Sequence, residues 1–313
     1  MSVNNILTLT VNPSLDVFTT IENLAPTIKL RCDAPQYDPG GGGINVARAI
    51  HTFGGDVVAH YVAGGQTGDQ LIALLDRTGI AHCPTHLSQK TRESFIVVAN
   101  STGREYRFTF PGSVLTENEW RRFLDALSAH QPTPEFIVAS GSLPPGVPEN
   151  FYAKLTRRAH ARGAKFILDT SGPSLRMALN EGVFLIKPNR REFYELMSNE
   201  GSDEECLAFA QNLIERGMTE IVTLTDGAGT AFLIAAETRL RVQPPAVELR
   251  SSVGAGDSFV AAFILSLASE KSLEEAFRQA LAAGTAALLT PGTELCRKKD
   301  AENLIGGVEI ERF

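Results

Sequence analysis

Short apolar runs rich in β-branched residues alternate with longer amphipathic stretches along most of this chain, and few architectures accept that rhythm. Ile6–Val11, Val57–Val62, Phe136–Ser140, Phe166–Asp169, Phe184–Lys187 and Ile221–Leu224 read as strands. Apolar residues recur at helical spacing over Ile44–Phe53, Glu117–Ala129, Glu149–Ala161, Asp203–Arg216, Ala255–Ala268 and Leu273–Leu289. A helix between two strands lets the chain cross over and pair them in parallel, so the pattern predicts an α/β fold: a doubly wound, largely parallel sheet flanked by helices on both faces. Ligands then belong in the turns beyond the carboxyl ends of the strands.

Two stretches break the rhythm, Val17–Asp33 and Arg92–Phe110, where short extended segments are interrupted by polar turns such as Asn100-Ser101-Thr102-Gly103. They are expected to form a small β lid inserted in the α/β body. No internal repeat, low-complexity tract or long linker appears, so residues 1–313 are expected to form one domain. At 313 residues with 43% hydrophobic content, burying a sizeable core is not in question. The net charge of −7 argues against a general nucleic-acid binder, which needs a basic surface. Four scattered cysteines give neither a zinc pattern nor a disulfide framework and fit a reducing cytoplasm. Met1–Val11 lacks a basic region followed by a long apolar stretch, and no apolar run nears the ~20 residues of a membrane span. Neither export nor membrane insertion is expected.

Two glycine-rich segments carry the chemistry. Pro39-Gly40-Gly41-Gly42-Gly43-Ile44-Asn45-Val46-Ala47-Arg48 sets four glycines directly before an amphipathic helix. Glycines allow close backbone approach, and a helix start offers free N–H groups, so a sugar or phosphate could bind there; a turn that merely starts a helix is the plainer reading. Pro39 in place of a strand, and Val46 in place of a third glycine, disfavour a nicotinamide-binding fingerprint. In Ser252-Val253-Gly254-Ala255-Gly256-Asp257-Ser258-Phe259, glycines lead into a long apolar helix with a carboxylate in its first turn. Asp257 could accept the proton of an attacking hydroxyl while backbone amides hold a phosphoryl group, or it could simply complement the helix dipole.

Together these segments resemble the paired signatures of the PfkB (ribokinase-like) carbohydrate kinase family. Thr10-Val11-Asn12-Pro13-Ser14-Leu15-Asp16, Ser140-Gly141-Ser142-Leu143-Pro144-Pro145-Gly146 and Lys187-Pro188-Asn189-Arg190-Arg191-Glu192 extend the likeness, which runs to about Cys296. Lys29-Leu30-Arg31-Cys32 followed by four uninterrupted glycines is similar to the PfkB-type 6-phosphofructokinase branch; Gly42 stands where related branches carry a lysine. The resemblance implies transfer from MgATP to the C1 hydroxyl of fructose 6-phosphate, with Asp257 as base and the amides of the Gly254-Ala255-Gly256-Asp257 turn as an anion hole.

It further implies Asp16, Gly41, Gly42, Asn45 and Ser142 as sugar contacts, and Lys29, Arg92 and Arg107 as ligands of the sugar phosphate. ATP is expected to meet Lys187, Asn189, Thr225, Gly227, Gly229 and Gly284. Glu192 is expected to organise Mg2+, through water if few carboxylates are present. Asn189 and Glu192 also have the spacing of a helix capping box. A potassium loop would map to Ser251, Val253, Ala287, Thr290 and Gly292. Three departures from the family pattern stand out: Thr225 for a glycine, Arg191 for a lysine and Glu294 for an arginine. A homodimer through the lid is implied, with Lys29 reaching a neighbouring site. Alternatives are a tagatose-6-phosphate kinase, a 1-phosphofructokinase and, in a different class, a catalytically silent phosphosugar sensor. His82 and His86 have helical metal spacing, but Pro84 intervenes and no metal role is expected. No G-x-x-x-x-G-K-[ST] loop is present, so the chain is not a P-loop kinase.

Overall fold

The computed structural model describes residues 6–313; Met1–Asn5, part of the segment read for an export signal, lie outside the described residues. In chain order the strands are β1 (Ile6–Thr10), β2 (Ser14–Ile21), β3 (Gln36–Gly40), β4 (Val57–Ala63), β5 (Ala81–His86), β6 (Arg92–Ala99), β7 (Arg104–Thr109), β8 (Phe136–Ser140), β9 (Lys165–Asp169), β10 (Val183–Ile186), β11 (Thr219–Leu224), β12 (Ala231–Ala235), β13 (Thr238–Val242) and β14 (Glu311–Arg312). The helices are α1 (Gly42–Thr52), α2 (Gly65–Thr78), α3 (Glu117–Ala129), α4 (Phe151–Ala161), α5 (Gly172–Leu179), α6 (Arg190–Met197), α7 (Asp203–Glu215), α8 (Ala255–Ala268), α9 (Leu273–Ala287) and α10 (Lys298–Leu304).

A ten-stranded sheet runs in the order β14-β13-β12-β11-β10-β9-β8-β1-β4-β5, parallel from β11 to β5 and antiparallel from β11 out to β14. One apolar cluster lies between the sheet and α1, α2, α8, α9 and α10; the other joins the opposite face to α3–α7. This is the expected doubly wound body. From β1 the chain winds outward through β4 and β5, then returns to β8 and winds the other way. The switch point therefore opens between the carboxyl ends of β1 and β8, where an open α/β sheet offers a crevice.

A separate four-stranded sheet, β3-β2-β6-β7, grows directly out of β1. The first inserted stretch, expected over Val17–Asp33, begins earlier, at Ser14. Its partner strand is Gln36–Gly40, and no strand is assigned over 22–35. Pro39 and Pro84 both occupy strands, β3 and β5, and both strands are sheet edges, where a missing N–H costs no ladder bond. Among the described residues no helix is long and apolar enough to cross a membrane.

Candidate active site

The starts of α1 and α8 converge on the switch-point crevice. The N-termini of α3, α6, α7 and α9 are closed by capping boxes, whereas α1 and α8 begin at Gly41 and Gly254 without a side-chain cap. Their first amides, which have no intrahelical acceptor, remain available to an anion. Gly254 has φ 71°, the left-handed conformation glycine adopts without strain. The four glycines leading into and opening α1 are set by contact: a Cβ at Gly40 would overlap the Asp16 carboxylate, and one at Gly42 would overlap Ser140 at the end of β8.

Asp257, on the first turn of α8, accepts a hydrogen bond of 3.0 Å from the Asn45 amide on the first turn of α1. Behind Asn45, the Arg48 guanidinium donates to the Pro39 carbonyl at 3.0 Å and lies 3.6 Å from Asp38. Asp16 accepts from the Ser14 hydroxyl at 2.6 Å. On the other side of Asp257, Lys187 leaves the end of β10, 3.8 Å from Asp169 at the end of β9, and Asp169 accepts from Ser140 at 3.2 Å. Gly256 packs against the Lys187 ammonium, and a Cβ there would lie 3.2 Å from it, so the lysine would have to shift.

This crowding of carboxylates perturbs their protonation. The Asp257 carboxyl is pushed up to about 7, first by burial and then by the Asp169 charge, while the Asn45 hydrogen bond and Lys187 pull it back. Burial likewise pushes Asp16 up to about 6, against the Ser14 hydrogen bond and the charges of Arg92 and Arg48. A carboxylate poised near neutrality beside uncapped amides can take a proton from a hydroxyl as charge develops on a phosphoryl group.

Beside Gly256 opens a cavity of about 250 Å³. Lys187, Asn189, Thr225, Gly227, Gly256 and Gly284 line it together. Apolar walls come from Phe259, Leu281 and Leu288, which the sequence did not single out. Gly227 has φ 54° and needs glycine, whereas Thr225 has an ordinary backbone and pairs with Asn189 across a short bridge, so threonine there is unstrained. Gly229 is not part of the lining.

Asn189 and Glu192 form the capping box of α6: the Asn189 side chain accepts from the Glu192 amide at 3.0 Å, and Glu192 accepts from the Asn189 amide at 2.9 Å. That bond uses one carboxylate oxygen. Burial raises the Glu192 carboxyl, and Asp169 opposes its charge too. Among the described residues no group of three or more His, Cys, Asp or Glu could hold a metal by itself. The pair Glu192 and Asp169 therefore fits Mg2+ only in the form that keeps waters and phosphate oxygens as its other ligands.

The remaining residues are less tightly gathered. Ser142 accepts from Asn12 at 3.2 Å. Arg92 donates to the carbonyls of Asn12, Pro13 and Phe110, so it ties the small sheet to β1 while its charge acts on Asp16. Arg107 pairs with Glu105 at 2.6 Å and donates to Ser252 at 3.1 Å. Lys29 lies exposed between β2 and β3. His82 sits on β5, not on a helix, hydrogen-bonded to Tyr61 and Asp76. Arg48, Asp38, Ser140 and Asp169 belong to the site and were not singled out from the sequence; position at a parallel strand's carboxyl end was the available signal for Ser140 and Asp169.

Residues 13–300 match the profile described as pfkB family carbohydrate kinase. The chain is 43% identical over 298 residues to an ATP-dependent 6-phosphofructokinase isozyme 2 of Mycobacterium tuberculosis, covering 95% of this chain and 88% of that one. It is 30% identical to a 1-phosphofructokinase of Borreliella burgdorferi, covering 98% of both. The crystal structure of phosphofructokinase-2 from Escherichia coli in complex with potassium superposes with a TM-score of 0.92 at 39% identity, covering 97% of this chain and 98% of that one.

Proposed function

This chain belongs to the pfkB family of carbohydrate kinases, and from that premise we propose that it transfers the γ-phosphoryl group of MgATP to the C1 hydroxyl of fructose 6-phosphate, giving fructose 1,6-bisphosphate, as a cytoplasmic glycolytic enzyme. The observation that carries the reading is Asp257: a carboxyl brought up to about 7, held by Asn45 across the crevice, at the uncapped start of α8 and beside the cavity that gathers the expected ATP residues.

Asp16, Asn45, Gly41, Gly42 and Ser142 surround the sugar, and Arg107 with Lys29 meets its phosphate while Arg92 holds the small sheet against β1 and adds positive charge beside Asp16. Asp257 removes the proton of the C1 hydroxyl as its oxygen attacks phosphorus. The bond to the β-phosphate oxygen breaks, and ADP leaves with that oxygen. Amides of Ala255, Gly256 and Asp257 and the Lys187 ammonium stabilise the charge on the phosphoryl oxygens. Glu192 and Asp169 would hold Mg2+ with the nucleotide, where it would supply further charge neutralisation. K+ would be held by the Ser251, Val253, Ala287, Thr290 and Gly292 segment. The exposed aromatic rings of Tyr37 and Phe108 on the small sheet support a homodimer formed through it.

The test is ADP release from MgATP with fructose 6-phosphate, tagatose 6-phosphate, fructose 1-phosphate and fructose as acceptors. The highest kcat/KM is expected for fructose 6-phosphate. Preference for another phosphosugar would overturn the substrate and keep the mechanism; no turnover with any acceptor would overturn both.

A further inference from the structure

We propose that Glu105, on β7 of the small sheet, is an oxygen ligand of the monovalent cation held by the 251–292 segment, and that this carboxylate ties cation binding to the seating of Arg107. The inference rests on reading that segment as a cation loop. Its warrant is an excess of acceptors over protons.

The Ser251 hydroxyl is buried, 2.7 Å from a Glu105 carboxylate oxygen and 3.0 Å from the Gly292 carbonyl, and it already accepts from the Val253 amide at 3.1 Å. A hydroxyl carries one proton, so it satisfies only one of those two acceptors. The fully buried Thr290 hydroxyl repeats the pattern, 2.8 Å from the Ala287 carbonyl and 2.7 Å from the Glu294 carbonyl. Two hydroxyl protons and the Thr290 amide, which donates to the Ala287 carbonyl at 3.3 Å, thus face four acceptors, one more than they can satisfy, in a largely buried region. Buried oxygen lone pairs left without a donor are costly, and a cation resolves the deficit. Glu105 differs from the other acceptors in two respects: it is charged, and it comes from the other sheet.

Its second oxygen takes the Arg107 guanidinium at 2.6 Å, and Arg107 in turn donates to Ser252, which lines the nucleotide cavity. Residues 105 and 107 lie two apart on one strand, so both side chains face the same way and clasp Ser251 and Ser252. A cation drawing Glu105 inward therefore fixes the arginine assigned to the sugar phosphate. Glu105 acts on the reaction through Arg107 and the loop, as a positioning residue.

The test measures thermal unfolding of the full-length protein in KCl against choline chloride at constant ionic strength, together with calorimetric affinity for fructose 6-phosphate in each salt. For the parental protein, K+ is expected to raise Tm and to tighten sugar-phosphate binding several-fold. Glu105→Gln keeps one acceptor oxygen, for Ser251, but removes the charge and the second oxygen that Arg107 uses; it should weaken the K+ midpoint at least ten-fold and abolish the K+ effect on sugar affinity. Glu105→Asp, which restores the charge, should recover part of both. An unchanged K+ midpoint in Glu105→Gln would overturn the assignment of Glu105. Absence of any K+ effect on parental Tm would overturn the cation loop itself, and with it this proposal. Because the unfolding readout needs no turnover, failure of the chain to bind fructose 6-phosphate would count against the substrate assignment alone.

Discussion

Replacing Asp257 with asparagine separates catalysis from stability at one atom. The carboxamide introduced by Asp257→Asn can still offer an oxygen to the Asn45 amide, so the contact across the crevice survives while the charge does not. The carboxyl is raised from 3.8 to about 7, chiefly by burial and then by Asp169. At 1.36 kcal/mol per tenfold, that rise corresponds to about 4 kcal/mol against the charged form. Partial solvent access at the crevice screens the charge and reduces the figure to ~1–3 kcal/mol. Because the folded-state value is raised, the parental protein has its full stability below the unfolded value of 3.8 and loses it as pH rises through about 7. Asp257→Asn should therefore have a Tm higher by roughly 2–6 °C at pH 8, with the difference vanishing near pH 4. In the same variant kcat should fall by ~10²–10⁴ with near-parental sugar-phosphate affinity, and the parental kcat/KM should rise with pH through about 7. Parental turnover would remove Asp257 as the base, and a Tm difference independent of pH would refute the buried-charge argument.

Four further substitutions probe the rest of the site. Glu192→Gln preserves an acceptor for the Asn189 amide, so the α6 cap should hold and Tm should move little, while the Mg2+ concentration needed for half-maximal rate rises several-fold. An unchanged Mg2+ titration would leave Glu192 as a cap alone. Arg92→Ala loses bonds to three backbone carbonyls and should lower stability by ~2 kcal/mol in urea unfolding; Arg107→Ala should leave that transition nearly in place and raise KM for the sugar phosphate ten-fold or more. Gly42→Ala drives a methyl into Ser140 and should cost ~1–3 kcal/mol by the same unfolding measurement, with loss of sugar affinity.

Much of this was legible in the sequence because it is local. Strand-helix alternation gave the body of the fold, and glycines at two helix starts marked where backbone had to approach something closely. What escaped was set by distant pairing. Asn45 and Asp257 are 212 residues apart, and only the fold brings them to 3.0 Å. Asp169 ends a strand like many aspartates; its weight comes from lying between Lys187, Ser140 and Asp257. Pro39 argued against a strand, yet it falls in an edge strand, and edge position is a property of the sheet rather than of the segment. The capping-box spacing of Asn189 and Glu192 left their role open for a physical reason: the cap uses one carboxylate oxygen and does not occupy the other.

The carboxylates also explain why the proposed base and the proposed anion hole share one helix. Asp257 is raised first by burial and then by the charges of Asp169 and Asp16, Asp16 is raised by burial with Asp38 adding to it, and Lys187 and Arg48 offset these effects only in part. Such a group persists only on a rigid frame. Helix α8 supplies it: residues 258–264 are buried without interruption, packed against α1 and α9. Metal charge arriving with the nucleotide would relieve the repulsion around Asp257 and lower its proton affinity, so the base would be more fully ionised with MgATP bound than before it binds. The pH at which kcat is half-maximal should then lie below that for kcat/KM of the sugar phosphate measured at nucleotide concentrations too low to fill the site. Coincident midpoints would mean that the nucleotide's metal does not act on Asp257.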